Sequence, residues 1–137
     1  MTIRLYLTAL ISFFALDMIW LGAVARSFYR SQIGFMLNEG VNWPAAVIFY
    51  LLFVFGLVYF VIVPGVQRKS LVSVAADGAL FGLVTYAAYD LTNLATTKNW
   101  PLSVTLVDLA WGAVLGAAVS AITYALRKKN YPGETRS

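Results

Sequence analysis

A polar stretch inside an otherwise apolar region is the most informative part of this chain. It reads Tyr86-Ala87-Ala88-Tyr89-Asp90-Leu91-Thr92-Asn93-Leu94-Ala95-Thr96-Thr97. The apolar residues before it predict that it forms the outer half of a membrane-spanning helix. Lipid offers no hydrogen-bond partners to a carboxylate, a carboxamide, two phenols and three threonine hydroxyls. An ionisable residue inside a span predicts a functional site, and we expect Asp90 and Asn93 at its centre.

The composition of the 137-residue chain is that of a membrane protein. It is 61% hydrophobic and 12% charged, with a mean hydropathy of +0.76, whereas soluble domains carry about 25% charged residues. The chain has no cysteine and no histidine, which excludes disulfides, thiolate or imidazole metal sites and the Ser-His-Asp and Cys-His classes of catalysis. We expect no cofactor and no metal site. The net charge of +4 does not predict nucleic-acid binding, because the basic residues fall at span ends and in the tail.

The hydropathy pattern predicts a single all-α domain over residues 1–137, an integral membrane four-helix bundle. Each predicted span supplies the ~20 apolar residues that a bilayer requires. The second span is expected to end at Pro64-Gly65, because proline cannot extend a helix and glycine favours a turn. Residues 26–43 are too apolar for a free loop and predict either an interfacial helix or an ordered amphipathic loop. The spans are predicted at about 3–25, 44–63, 71–96 and 101–126, followed by a polar tail at 127–137.

The distribution of basic residues predicts the orientation of the bundle. Seven basic residues lie on the side of the termini, and three, Arg26, Arg30 and Lys98, lie on the other side. The positive-inside rule therefore places both termini in the cytoplasm. The tripeptide Asn-Trp-Pro occurs at 42–44 and at 99–101. Each copy opens a span, with its tryptophan in the interfacial aromatic belt and its proline in the first helical turn.

Aspartates inside the spans indicate where a site lies. Four of the six acidic residues fall inside predicted spans, and all four are aspartates. Each costs about 2.5–3.5 kcal/mol to insert at a helix centre. The helical rise puts Asp17, Asp90 and Asp108 about 12, 9 and 10 Å below the outer ends of their spans. Three helices should therefore bring a carboxylate to one level, whereas Asp77, close to the opposite end, should be a separate site or a surface group.

Helical spacing adds aromatic and polar neighbours to these aspartates. An Asp-x-x-Trp spacing puts Asp17 with Trp20, and Asp108 with Trp111, on one face of their helices. Polar side chains of the third span follow a 4-3-4 spacing along a single stripe. If these faces converge, the indole N–H groups can donate hydrogen bonds to the carboxylates. The residues predicted to bind a ligand there are Asp17, Trp20, Tyr86, Asp90, Asn93, Asp108 and Trp111.

The charge state of the three outer aspartates leaves alternatives open. Three close carboxylates in a dry setting cannot all be ionised without a partner, so a proton, a bound cation or a guanidinium is expected among them. Arg26 and Arg30 are near the outer end and could reach down to Asp17 or Asp108 to supply the guanidinium. Alternatively, each aspartate only hydrogen-bonds a neighbouring helix and fixes its register, although such bonds contribute about 0.6 kcal/mol on average.

Small residues predict where the helices approach each other most closely. The third span carries Gly78 and Gly82, four residues apart. The fourth carries Gly112, Gly116 and Ser120 at the same spacing, in line with its aspartate. Stripes of this kind allow two helix backbones to touch, so we predict close packing here rather than ligand binding.

Three functions remain compatible with the residues. The leading hypothesis is binding or transport of a proton, a cation or a small polar ligand at the outer carboxylates. The second is a membrane enzyme acting on a lipid or a lipid-soluble substrate, with an aspartate as general acid or base. No nucleophile–base pair or cofactor motif is apparent, so catalytic residues stay unknown. The third is a scaffold or assembly subunit of a membrane complex, and homo-oligomerisation is left open.

One phrase resembles a known protein family. The phrase Tyr89-Asp90-Leu91-Thr92-Asn93-Leu94-Ala95-Thr96, with an Asp-x-x-Trp pair before it and another after it, is similar to a bacterial four-span inner-membrane family of unknown function. The resemblance covers nearly the whole chain. It implies four transmembrane helices in the bacterial inner membrane, surrounded by lipid, and it implies no particular activity.

Overall fold

The computed structural model describes residues 3–37, 40 and 42–130, with side chains up to residue 127. This part of the chain forms five helices and no strand. Four of the helices are long and apolar enough to cross a membrane, which confirms the predicted all-α, four-span architecture. Most of the predicted polar tail lies outside the described residues. The helices are α1, Ile3–Val24; α2, Arg26–Ile33; α3, Trp43–Arg68; α4, Leu71–Thr96; and α5, Leu102–Asn130.

The closest contact in the bundle joins α4 to α5. A methyl group added at Gly82 would overlap the backbone carbonyl of Gly112, and one added at Gly116 would overlap that of Gly78. The two backbones therefore touch along the glycine stripes. This confirms the predicted role of these stripes in packing. Close packing is important in a bilayer, because lipid is as apolar as the side chains and the hydrophobic effect does not drive helices together there.

An apolar core joins α1, α3 and α5, together with Val74 of α4. Phe13, Leu57, Ile62 and Leu115 are fully buried there, and the rings of Phe13 and Phe53 lie 5.2 Å apart. Many other large apolar side chains of the four long helices face outward instead. An apolar outer surface of this kind is what a lipid bilayer requires, so the bundle is in contact with lipid.

The prediction that α3 ends at Pro64-Gly65 is wrong. The helix continues to Arg68 and ends where Lys69 adopts a left-handed conformation with φ 55°. A wide π-turn at Val58–Ile62 comes directly before the proline. Proline lacks an N–H and its ring crowds the carbonyl four residues earlier, and a local π-turn accommodates both effects inside a span. A side chain at Gly65 would overlap Val74 of α4, so this glycine permits helix contact rather than a turn.

The connection between α1 and α3 contains a short helix. A second π-turn, Trp20–Val24, ends α1, and the Ala25 N–H donates to the Trp20 carbonyl over 2.7 Å. Helix α2 follows, and then a 3₁₀ turn at Gly34–Met36. Of the two alternatives for residues 26–43, the structure therefore contains the helix, although residues 38, 39 and 41 lie outside the described residues. We call the end of the bundle that carries α2 the outer end.

Candidate functional site

A cavity of about 810 Å³ lies near the outer end of the bundle, with walls from all five helices. Its charged groups are the carboxylates of Asp17 and Asp108 and the guanidinium groups of Arg26 and Arg30. Aromatic rings form most of the remaining wall. The aromatic residues are Trp20, Tyr29, Phe49, Tyr50, Tyr86, Tyr89, Trp100 and Trp111.

Asp17 joins three helices at one side of the cavity. Its side chain is buried, with 5% of its surface exposed. The Tyr50 hydroxyl of α3 donates to its Oδ2 over 3.2 Å, and the Trp111 indole N–H of α5 donates to its Oδ1 over 3.3 Å. Both donors are neutral groups, so they stabilise the carboxylate without cancelling its charge.

Tyr29 of α2 holds the second carboxylate. Its hydroxyl donates to Oδ1 of Asp108, and the Tyr29 hydroxyl oxygen accepts the Trp20 indole N–H over 3.2 Å. Burial and the hydrogen bond to Asp108 raise the pKa of the Tyr29 phenol above its usual value of 10. The phenol therefore remains protonated at neutral pH, so that it continues to donate to Asp108. Helix α2 is thereby attached to the bundle through a charged acceptor.

The two Asp-x-x-Trp pairs contact each other across the cavity, through ring stacking and hydrogen bonds. The rings of Trp20 and Trp111 stack with centroids 4.5 Å apart and planes 8° from parallel. Trp111 of α5 donates to Asp17 of α1, while Trp20 of α1 reaches Asp108 of α5 through the Tyr29 hydroxyl. The shared-face expectation from sequence becomes a crossed arrangement, which fixes α1 relative to α5.

Asp90 lies behind Asp108 and not on the cavity wall. Its side chain has no exposed surface, and neither carboxyl oxygen has a hydrogen-bond donor among the described residues. The carboxyl group of Asp108 is a close ionisable neighbour. Its backbone carbonyl accepts the Thr105 hydroxyl over 3.3 Å, and that hydroxyl accepts the Trp100 indole N–H over 3.0 Å.

Asn93 is satisfied within its own helix. Its amide donates to the Tyr89 carbonyl over 2.9 Å, and its carbonyl oxygen accepts the Thr97 hydroxyl over 2.9 Å. A short polar side chain at this spacing bonds its own helix readily, and Asn93 is not among the residues of the cavity wall. Asp90 and Asn93 are therefore not at the centre of the cavity. The predicted residues that do line it are Asp17, Trp20, Tyr86, Asp108 and Trp111.

Sequence reasoning missed Tyr29 and Tyr50, which hold the two carboxylates. A signal for the first was available, because Arg26, Tyr29, Arg30 and Ile33 follow the 3-1-3 spacing of one helix face, and all four line the cavity. Nothing in the apolar run of α3 distinguishes Tyr50 from a residue that faces lipid.

The other charged groups separate into two sets. Asp77 pairs with Arg68 over 3.0 Å, and both side chains are well exposed. The pair lies at the end of the bundle opposite the outer end, which we call the inner end, so Asp77 is separate from the outer aspartates, as predicted. Arg26 and Arg30 line the cavity, but within the described part of the chain no ion pair joins them to Asp17. The described residues also contain no group of three His, Cys, Asp or Glu side chains placed to hold a metal ion.

Comparison with known proteins supports the resemblance drawn from the sequence. No curated protein and no solved structure matches the chain. The model of a family described as "Predicted membrane protein (DUF2177)" matches residues 2–125. This range includes all four spans up to the last turns of α5, together with every residue of the cavity wall. The chain therefore belongs to this family of membrane proteins of unknown function.

Proposed function

We propose that this protein binds a monovalent organic cation with an aromatic or apolar body in the outer cavity. The observation that carries the proposal is the pair of carboxylates, Asp17 and Asp108, on a wall that is otherwise mainly aromatic. The carboxylates supply the negative charge that attracts a cation, and the aromatic wall supplies a large apolar surface for the body of the ligand to contact.

The charge of the two carboxylates is available to a ligand. Their hydrogen-bond donors are the Tyr50, Tyr29 and Trp111 side chains, which are all neutral. An anion that is mostly removed from water and lacks a counter-charge attracts a cation strongly, because the surroundings screen the interaction less than water does. Arg26 and Arg30 also line the cavity, but both are exposed, and among the described residues neither forms an ion pair with the carboxylates.

The size and chemistry of the wall favour an aromatic cation. A cavity of about 810 Å³ falls within the range of about 300–1,000 Å³ that drug-sized ligands occupy. The faces of tryptophan and tyrosine rings attract cations, by about 0.5–2 kcal/mol each according to desolvation. The stacked pair of Trp20 and Trp111 offers such a face beside both carboxylates.

The proposed setting is the bacterial inner membrane, with both termini in the cytoplasm and the cavity open towards the periplasmic side. The seven-to-three distribution of basic residues supports this orientation. The cavity lies close to α2 and to the outer ends of the spans, so a ligand would enter from that side. Binding is the step proposed here, and transport would require a second opening towards the cytoplasm.

Titration of the purified chain with tetraphenylphosphonium tests the proposal. Tryptophan fluorescence is a direct readout, because Trp20, Trp100 and Trp111 line the cavity. We expect saturable binding of the cation and at least about tenfold weaker binding of the neutral triphenylphosphine oxide, a difference of about 1.4 kcal/mol. Equal affinity for the cation and the neutral compound would contradict the proposal.

Substitution of the carboxylates sharpens the same experiment. Asp17→Asn and Asp108→Asn should each weaken tetraphenylphosphonium binding by about tenfold to a hundredfold, since each removes one charge from the wall. Asp77→Asn is the matched control, because it removes an aspartate whose partner, Arg68, lies at the inner end. The proposal fails if the control weakens binding as much as the two cavity variants do.

A lipid head group is the second candidate ligand. The observation in its favour is that Arg26 and Arg30 of α2 line the same cavity as the two carboxylates. Guanidinium groups bind phosphate, so this mouth could hold a phospholipid with its ammonium group near Asp108. Retention of phospholipid that is lost in a combined Arg26→Gln and Arg30→Gln variant, measured by native mass spectrometry, would favour this candidate. Chemical alteration of the retained lipid would point to an enzyme.

A further inference from the structure

Two adjoining carboxyl groups connect the cavity with the interior of the protein. Asp90 of α4 is fully buried and has no hydrogen-bond donor for either oxygen among the described residues. Its backbone carbonyl accepts the Thr105 hydroxyl of α5 over 3.3 Å, and Asp108 lies one turn further along the same face of α5, which brings the two carboxyl groups together. Asp108 has 8% of its surface exposed and lines the cavity. One member of the pair therefore faces the cavity, and the other is sealed behind it.

Among the described residues, no basic side chain forms an ion pair with Asp90 or Asp108. The titratable groups that face Asp90 or Asp108 are phenols, from Tyr29 on α2 and from Tyr86 and Tyr89 on α4. From α1 and α3, Asp17 and the phenol of Tyr50 face the cavity. The remaining charged groups of the wall are Arg26 and Arg30, and no ion pair joins them to Asp108 among the described residues.

Charge balance then limits what the pair can do. Two adjoining carboxyl groups without a counter-ion share a proton, because two buried negative charges repel each other strongly. The pair then carries a single negative charge. A monovalent cation bound at Asp108 supplies the positive charge that the proton supplied before. If the proton leaves as the cation enters, the site keeps the same net charge in both states.

We infer that the Asp90–Asp108 pair releases one proton when the cavity takes up a monovalent organic cation, and takes the proton back when the cation leaves. This inference rests on the function proposed above, and it makes binding at the cavity an exchange of one cation for another. Asp90 stores the proton in this scheme, while Asp108 contacts the ligand. Asp17 attracts the ligand but keeps its own hydrogen bonds to Tyr50 and Trp111.

The inference predicts a proton count that calorimetry measures. Tetraphenylphosphonium is titrated into the full-length protein in detergent, at one pH, in buffers with different enthalpies of ionisation. The slope of binding enthalpy against buffer enthalpy gives the number of protons released per cation, and we expect about one. The affinity should also rise by up to about tenfold per pH unit over the range in which the exchange occurs.

Variants assign the proton to the pair. Asp90→Asn keeps the size of the side chain and leaves Asp108 on the wall, so binding should persist while proton release and the pH dependence of the affinity disappear. Asp77→Asn is the control and should release the same number of protons as the wild-type chain, because its carboxylate lies at the other end of the bundle.

The outcomes separate the two proposals. Binding without proton release in the wild-type chain overturns the exchange and leaves the proposed function intact. Unchanged proton release in a folded Asp90→Asn variant, checked by circular dichroism, also overturns the exchange. Absence of tetraphenylphosphonium binding in the wild-type chain overturns the proposed function, and the exchange then fails with it.

Discussion

Removal of one hydroxyl group, in Tyr29→Phe, should weaken the docking of α2 on the bundle while the four spans remain folded. The hydroxyl donates to the Asp108 carboxylate and accepts the Trp20 indole N–H. The remaining contacts of α2 with the spans include the hydrogen bond between Gln32 and Ser103, 2.6 Å long, and the buried side chain of Ile33. An eight-residue helix with so few contacts has little stability of its own.

The magnitude follows from the kind of bond that is lost. A hydrogen bond to a charged group contributes about 1.5–3 kcal/mol, and its loss leaves the carboxylate and the indole N–H without this partner. Docking of α2 should weaken by that amount, which corresponds to about a tenfold to hundredfold increase in its local opening. The spans should change much less, because the glycine contacts between α4 and α5 do not involve Tyr29.

Hydrogen exchange with mass spectrometry measures this opening peptide by peptide. Amides of residues 26–33 should exchange about tenfold to a hundredfold faster in the variant, while those in the middle of α4 should keep their protection. Tyr59→Phe is the matched control, since Tyr59 is 57% exposed on α3 and should leave α2 unchanged. Equal exchange of residues 26–33 in Tyr29→Phe and the wild-type chain would refute the role assigned to this hydroxyl.

Three further predictions follow from the structure. Gly82→Ala should destabilise the bundle by about 1–3 kcal/mol, because the new methyl group would lie 2.8 Å from the Gly112 carbonyl carbon. Gly22→Ala is the control, since a methyl group there would have no atom within 4 Å. Equal stability of the two variants, measured by unfolding in mixed micelles, would contradict the packing. In intact cells an impermeant thiol reagent should label Gly34→Cys but not Gln67→Cys, and the reverse pattern would overturn the orientation. Above pH 10, undocked α2 loses the Tyr29 proton that the docked helix retains, so docking weakens as the pH rises. Exchange of the α2 amides, corrected for their intrinsic rates, should therefore accelerate over this range, and an unchanged rate would contradict this prediction.

The parts of the fold that follow helical periodicity could be predicted from the sequence. Span number and most span limits depend on long apolar runs, and the rise per residue was enough to bring Asp17 and Asp108 to one level. The end of α3 could not be predicted in this way. Whether Pro64 ends a helix depends on the π-turn before it, and that turn is stabilised by tertiary packing of Val58, Val61 and Ile62 rather than by a local signal.

The site was predictable in its outline and not in its centre. Helix-face spacing groups Asp90 with Asn93, but it does not say which helix each side chain faces. Asp90 turned out to be sealed behind Asp108, and Asn93 bonds the backbone of its own helix. The side chains that hold the carboxylates come from other parts of the chain, Tyr29 and Tyr50, and only a three-dimensional arrangement brings them to the same cavity.

The backbone contact between α4 and α5 has consequences for how the protein is made. The two helices are adjacent in the chain, so this hairpin can form soon after both have entered the membrane, with little loop entropy to overcome. Synthesis proceeds from the N-terminus, and α1 reaches the bilayer first, where Asp17 has no donor until Tyr50 of α3 arrives and gains its second donor, Trp111, only with α5. A chain interrupted before α3 thus exposes an unpaired carboxylate to lipid, a mark by which membrane quality control can distinguish incomplete products from finished ones.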